Sequence, residues 1–87
     1  MAEHEAMVAM VVDVASQTLG RGRRLTASTP LLELPACDSL ALATLVERLE
    51  DRLQREIAPE LIVPETFATP LTIASALLSG GGFAWQE

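Results

Sequence analysis

Leu42, Leu45, Val46, Leu49 and Leu53 recur at intervals of three and four residues, a spacing that only an α-helix gathers onto one side. Arg48, Glu50, Asp51, Arg52 and Arg55 fall away from that stripe, so the stretch over about 39–55 reads as an amphipathic helix. Whatever fold the chain adopts must bury the leucine stripe against other elements. Asp38 and Ser39 stand where the helix begins, and both are residue types that satisfy the free N–H groups of a first turn.

Two further segments can supply the opposing surface. Met7, Met10, Val11, Val14 and Thr18 recur on one face of a helix expected over about 3–19, and Val8, Val12 and Ala15 widen that face enough for two neighbours. Gly20 and Gly22 end it. Near the other end, Thr69 as N-cap and Pro70 at the first helical position open a helix through about Leu78, with Ile73, Ala74 and Leu77 inward.

The connections are less regular. Residues 21–37 are too long and too rich in Pro and Thr for a simple turn, yet Leu25, Leu31, Leu32 and Leu34 are spread through them. A loop with so many leucines is expected to be pinned to the core, with one short helical turn opened by Pro30 and stopped by Pro35. Pro59 and Pro64 punctuate the loop after the second helix, where Leu61, Ile62 and Val63 are expected to cover the core and a short helical turn is expected over 65–68. The expected architecture is all-α: three main helices, one short helix and a long first loop. Residues 1–79 form the expected domain, and the Gly80-Gly81-Gly82 run starts a flexible tail over 80–87.

Charge and composition narrow the function. A net charge of −6 opposes nucleic-acid binding, which rests on a basic footprint, and favours partners with a basic surface around their own active-site opening. Cys37 is the only cysteine, which rules out an intrachain disulfide or a cysteine metal cluster, and it is expected to pack as a small apolar residue. The apolar run over 7–15 is broken by Asp13 and preceded by acids, whereas a spanning helix needs about 20 apolar residues and a leader needs a basic start. A cytoplasmic protein with no membrane partner is expected. His4 has no visible group to orient it toward Ser39, and no oxyanion donor can be named, so no catalytic residue and no metal site is expected.

The order Asp38-Ser39-Leu40, leucine-striped helix, Phe67-Ala68-Thr69-Pro70 and closing helix resembles the acyl carrier protein family over about residues 5–79. The resemblance implies a four-helix carrier bundle that performs no reaction itself. It also implies a covalent 4′-phosphopantetheine arm on Ser39, with Asp38 and Leu40 flanking the attachment point. Leu40, Thr44, Glu47 and Asp51, at i, i+4, i+7 and i+11, together with Arg48 beside them, match the face that partner enzymes grip. Those partners would be a phosphopantetheinyl transferase, an enzyme that loads an acyl or aminoacyl group, and downstream synthase enzymes, with the carrier itself a monomer.

Two departures from the family pattern stand out. Ala36, after Pro35, occupies a position where many carriers have glycine. The helix after the serine opens with Ala41, Ala43 and Thr44, and its later acids alternate with Arg48, Arg52 and Arg55, unlike the strongly acidic helix of primary fatty-acid carriers. The resemblance therefore favours a discrete carrier of a polyketide or hybrid nonribosomal-peptide pathway. A peptidyl or aminoacyl carrier, and an unmodified helical interaction module in which Ser39 merely belongs to a cap, remain the alternatives.

Overall fold

A computed structural model describes residues 2–79; the expected tail over 80–87, with its aromatics Phe83 and Trp85, lies outside them. Three α-helices carry the fold: α1 (Ala2–Leu19), α2 (Ser39–Leu53) and α3 (Pro70–Leu78). Short 3₁₀ turns at Leu31–Glu33, Pro59–Leu61 and Thr66–Ala68 punctuate the connections, and no strand occurs among the described residues. The first turn falls where Pro30 and Pro35 predict it, and the last falls within the turn expected over 65–68. The Pro59–Leu61 turn has the same cause, Pro59 sitting at its first position, but is not anticipated by the apolar pattern.

One core serves the described residues. Val11, Val14, Ala15 and Leu19 of α1 meet Leu45 and Leu49 of α2 and Ile73, Ala74 and Leu77 of α3. Leu25 and Leu31 from the first loop, together with Ile57 and Phe67, complete it. α1 is flanked by both other helices, as its broad apolar face requires, and its contact with α3 is the more extensive.

The long first loop is pinned by its leucines and by three polar ties. Buried Ser16 of α1 accepts the Leu25 N–H through Oγ at 2.9 Å. Thr26 and Thr29 close a small turn, with the Thr26 N–H donating to Thr29 Oγ1 at 2.8 Å. The Leu71 N–H, an otherwise orphaned donor in the first turn of α3, reaches the Ala27 carbonyl at 3.0 Å. Leu32 departs from the expectation and is exposed, because it neighbours the fully buried Leu31 in a turn with only one inward side.

Helix ends follow the predicted chemistry with one adjustment. At α3, Thr69 Oγ1 accepts from the Thr72 N–H and Thr72 Oγ1 accepts from the Thr69 N–H, a reciprocal capping box, with Pro70 behind it. α2 stops at Leu53 rather than Arg55, because Gln54 turns left-handed at φ 57° and the Arg55 N–H closes back on the Glu50 carbonyl at 3.3 Å. Glu50, expected on the exposed side, is instead half-buried, and its Oε2 accepts the Ile57 N–H at 2.9 Å. Ile62 and Val63, expected to cover the core, are exposed at 47% and 38%, and only Leu61 of that run packs inward.

Gly20 is held to its identity by space. Its N–H donates to the Ser16 carbonyl and its carbonyl accepts from the Arg23 N–H, which folds the turn tightly over the end of α1. A Cβ at this position would stand inside contact distance of the Arg23 and Ser16 carbonyl oxygens, both backbone atoms with little room to yield. Gly20→Ala is expected to destabilise the fold by about 1–3 kcal/mol, read from urea unfolding monitored by circular dichroism. An unchanged unfolding midpoint would show that the turn relaxes freely.

Candidate functional site

The start of α2 is built by Asp38. It holds an extended backbone (φ −116°, ψ −177°), and its Oδ1 accepts the Ala41 N–H at 2.8 Å, while its carbonyl accepts the Leu42 N–H at 2.9 Å. The approach is a compact turn in which Cys37 N–H donates to the Leu34 carbonyl and Asp38 N–H to the Ala36 carbonyl. Pro35 and Ala36 thus shape the entrance to the helix without a glycine.

Ser39 is therefore the first helical residue and not the cap. Asp38, Ser39 and Leu40 are all exposed. Among the described residues no group hydrogen-bonds the Ser39 hydroxyl, and the Ser39 and Leu40 N–H groups have no protein acceptor. Two free donors at the positive end of a 15-residue helix favour an anionic oxygen at this point.

On the same side of α2, one and two turns on from Ser39, stand Leu42 and Val46. With Leu32, Ile62, Val63, Pro64 and Phe67 they line an apolar groove of about 110 Å³. The exposure of Ile62 and Val63 makes sense in this setting: they are walls of a groove beside the serine. The Leu61-Ile62-Val63 run held the available signal, since three adjacent side chains in a short segment between prolines cannot all turn inward.

The expected partner face is largely assembled. Leu40 is 77% exposed, Glu47 and Asp51 are exposed, and Thr44 is half-buried with its Oγ1 donating to the Leu40 carbonyl at 3.0 Å. Arg48 leans away from these four toward α1, where its guanidinium donates to Thr18 Oγ1 at 3.2 Å. Arg52 and Arg24 similarly reach Asp13 of α1 at 3.4 and 3.3 Å, exposed pairs worth at most about 1 kcal/mol each. The arginines of this flank tie α2 and the first loop to α1.

Cys37 packs half-buried against the core two residues before Ser39. Burial, and then the neighbouring Asp38 carboxylate, push its thiol pKa above the ordinary value. Raising a thiol's pKa keeps it protonated and unreactive further into the alkaline range. Iodoacetamide is thus expected to alkylate Cys37 more slowly than free cysteine at pH 8, with the rate rising only at higher pH. Equal rates at pH 8, followed by mass spectrometry, would contradict the protected environment.

The sequence matches the phosphopantetheine attachment site family over residues 10–77, a span that includes the α2 start, the groove and most of α1 and α3. The chain belongs to this family of phosphopantetheine-carrying proteins. The family's prosthetic group is covalently attached 4′-phosphopantetheine, and its domains carry groups for other enzymes without catalysing reactions themselves. A carrier of this kind works with a phosphopantetheinyl transferase and with synthase enzymes. Comparison with curated proteins and with solved structures gave no match. Among the described residues no helix is long and apolar enough to cross a membrane, and no cluster of metal-ligating side chains occurs.

Proposed function

We propose that Ser39 bears the arm and that the chain is a discrete cytoplasmic acyl carrier of a polyketide or hybrid nonribosomal-peptide pathway. The observation that carries this reading is the exposed Ser39 hydroxyl in the first turn of α2, beside two N–H groups with no protein acceptor. Ser39 Oγ is the acceptor oxygen for the phosphoryl end of the arm. The Ser39 and Leu40 N–H groups would then face the phosphodiester, and Asp38 keeps them in place by holding the first turn. When bound, the arm supplies a terminal thiol on which an acyl or aminoacyl group is held as a thioester.

Leu42, Val46, Ile62, Val63 and Phe67 offer an apolar resting place close to that attachment point, which suits an acyl group better than a charged one. Leu40, with Thr44, Glu47 and Asp51 on the same outer face, forms the contact for partner enzymes. An exposed leucine there gives such an interface an apolar anchor. The mixed charge of α2 supports a specialised pathway over primary fatty-acid synthesis.

Intact mass after coexpression with a broad-specificity phosphopantetheinyl transferase is the test. One added phosphopantetheine is expected. No added mass with several transferases would favour an unmodified helical interaction module in which the same helix surface binds a partner directly. Loading assays with acyl-coenzyme A donors against amino-acid-activating enzymes then separate the acyl carrier from the peptidyl or aminoacyl alternative.

A further inference from the structure

Three of the six basic side chains, Arg21, Arg23 and Arg24, fall within four residues in the turn that ends α1. With residues 34–36, which lead directly into Ser39, they border a cleft of about 510 Å³. Arg24 is paired with Asp13. Arg21 and Arg23 are exposed, and neither side chain has a hydrogen-bond or ion-pair partner among the described residues. Arg21 also holds a left-handed backbone at φ 52°, followed by Gly22 at φ 87°. Glycine adopts that conformation without penalty and arginine does not, so at this position the charge comes with strain.

Elsewhere acids outnumber bases, with the exposed Arg48, Arg52 and Arg55 interspersed among them. The chain carries a net charge of −6, and Glu47, Glu50, Asp51 and Glu56, with Arg55 among them, border a shallow basin at the far end of α2. The cationic turn and the acidic basin are separate patches, bordered by different residues. A single electrostatic contact leaves a bound partner free to rotate about it. Two contacts of opposite sign fix one orientation and penalise the reverse, where like charges would meet.

Resting on the carrier reading above, we infer that the Arg21–Arg23 turn is a second docking point, gripping a pair of carboxylates on the partner enzymes that reach Ser39. Protein carboxylates suit it better than a polyphosphate or nucleic acid, because the net negative charge repels an extended polyanion. A local acidic spot on an otherwise basic partner surface meets the turn while its basic rim meets Glu47 and Asp51.

The test uses the ¹⁵N-labelled chain without the arm, titrated at low salt with a short capped peptide that carries two glutamates and no other charge. Saturable amide shifts are expected at residues 20–25 and 34–36, and they should collapse in about 0.3 M salt, where exposed charges are screened. R21E/R23E should lose them with an unchanged melting temperature, both side chains being exposed. Arg21→Gly should weaken them without lowering the melting temperature. Shifts centred on Arg48 and Arg52, shifts retained in R21E/R23E, or equal shifts with inorganic phosphate would each overturn the assignment. So would shifts that depend on the chain's own concentration, which would indicate a second copy as the occupant. Failure of the coexpressed chain to gain the arm would remove the carrier reading, and it is scored separately because this titration needs no arm.

Discussion

Ser39→Ala is expected to leave the chain folded and wholly unable to gain the arm. The substitution removes an exposed hydroxyl that holds nothing else in place, since the first turn of α2 is capped by Asp38. Its stability cost should stay within about 0.5 kcal/mol, the range for surface changes away from special features. The mass increment on incubation with coenzyme A and a transferase should fall from one arm to none. Ser28 and Ser75 are also exposed, but one sits in the first loop and the other inside α3, so neither has free helix-start donors beside it. Modification of the variant at any serine would sink the assignment. Thiol-reactive reporters of the arm need the Cys37→Ala background as a control, because Cys37 supplies a thiol of its own.

The second large effect separates two leucines five residues apart on one helix. Leu45 is fully buried between the helices, and Leu45→Ala should cost about 2–5 kcal/mol through lost burial and the cavity left behind. For a domain of this size each kcal/mol lowers the melting temperature by roughly 4–8 °C, so the variant should melt far earlier. Leu40, 77% exposed, should cost under about 0.5 kcal/mol when changed to Ala. Its effect should appear in kcat/KM for arm loading, where a contact with the transferase is lost. Equal destabilisation by the two changes, measured by thermal melting, would mean that the faces of α2 are wrongly assigned.

The two leucines also mark where the sequence speaks clearly. Over α2 the apolar period is strong and the cap is explicit, so Leu45 and Leu49 could be placed inside and Leu40 outside from spacing alone. The same is true of Thr69-Pro70, whose capping chemistry is local. Legibility fails where a side chain's direction depends on a distant segment. Glu50 turns inward because the Ile57 N–H needs an acceptor, and that need arises only once the chain has folded back after Gln54. The Leu61-Ile62-Val63 run shows that some side chain must face outward, but with no periodicity only the assembled groove tells that Ile62 and Val63 are the ones. Arg48 reads as part of an outer face by its position, yet Thr18 of α1, 30 residues away, offers its guanidinium an acceptor. The groove escapes sequence reading for this reason: it is made by segments that are neighbours only in three dimensions.

The preference of α1 for α3 over α2 sets the order in which this chain can acquire structure during synthesis. Of the three helices, α1 is made first and finds its larger partner in the last to be made, and the Ala27 carbonyl in the first loop waits for the Leu71 N–H of that same helix. Until Ile73, Ala74 and Leu77 have been made, the broad apolar face of α1 has only α2 to cover it. Contacts between the two ends of a chain repay the entropy of closing the intervening loop only when both ends exist. The nascent chain should therefore stay open to proteases through most of its synthesis and become resistant in one late step. Ser39, halfway along, is translated well before the helix that bears it has a settled place to stand.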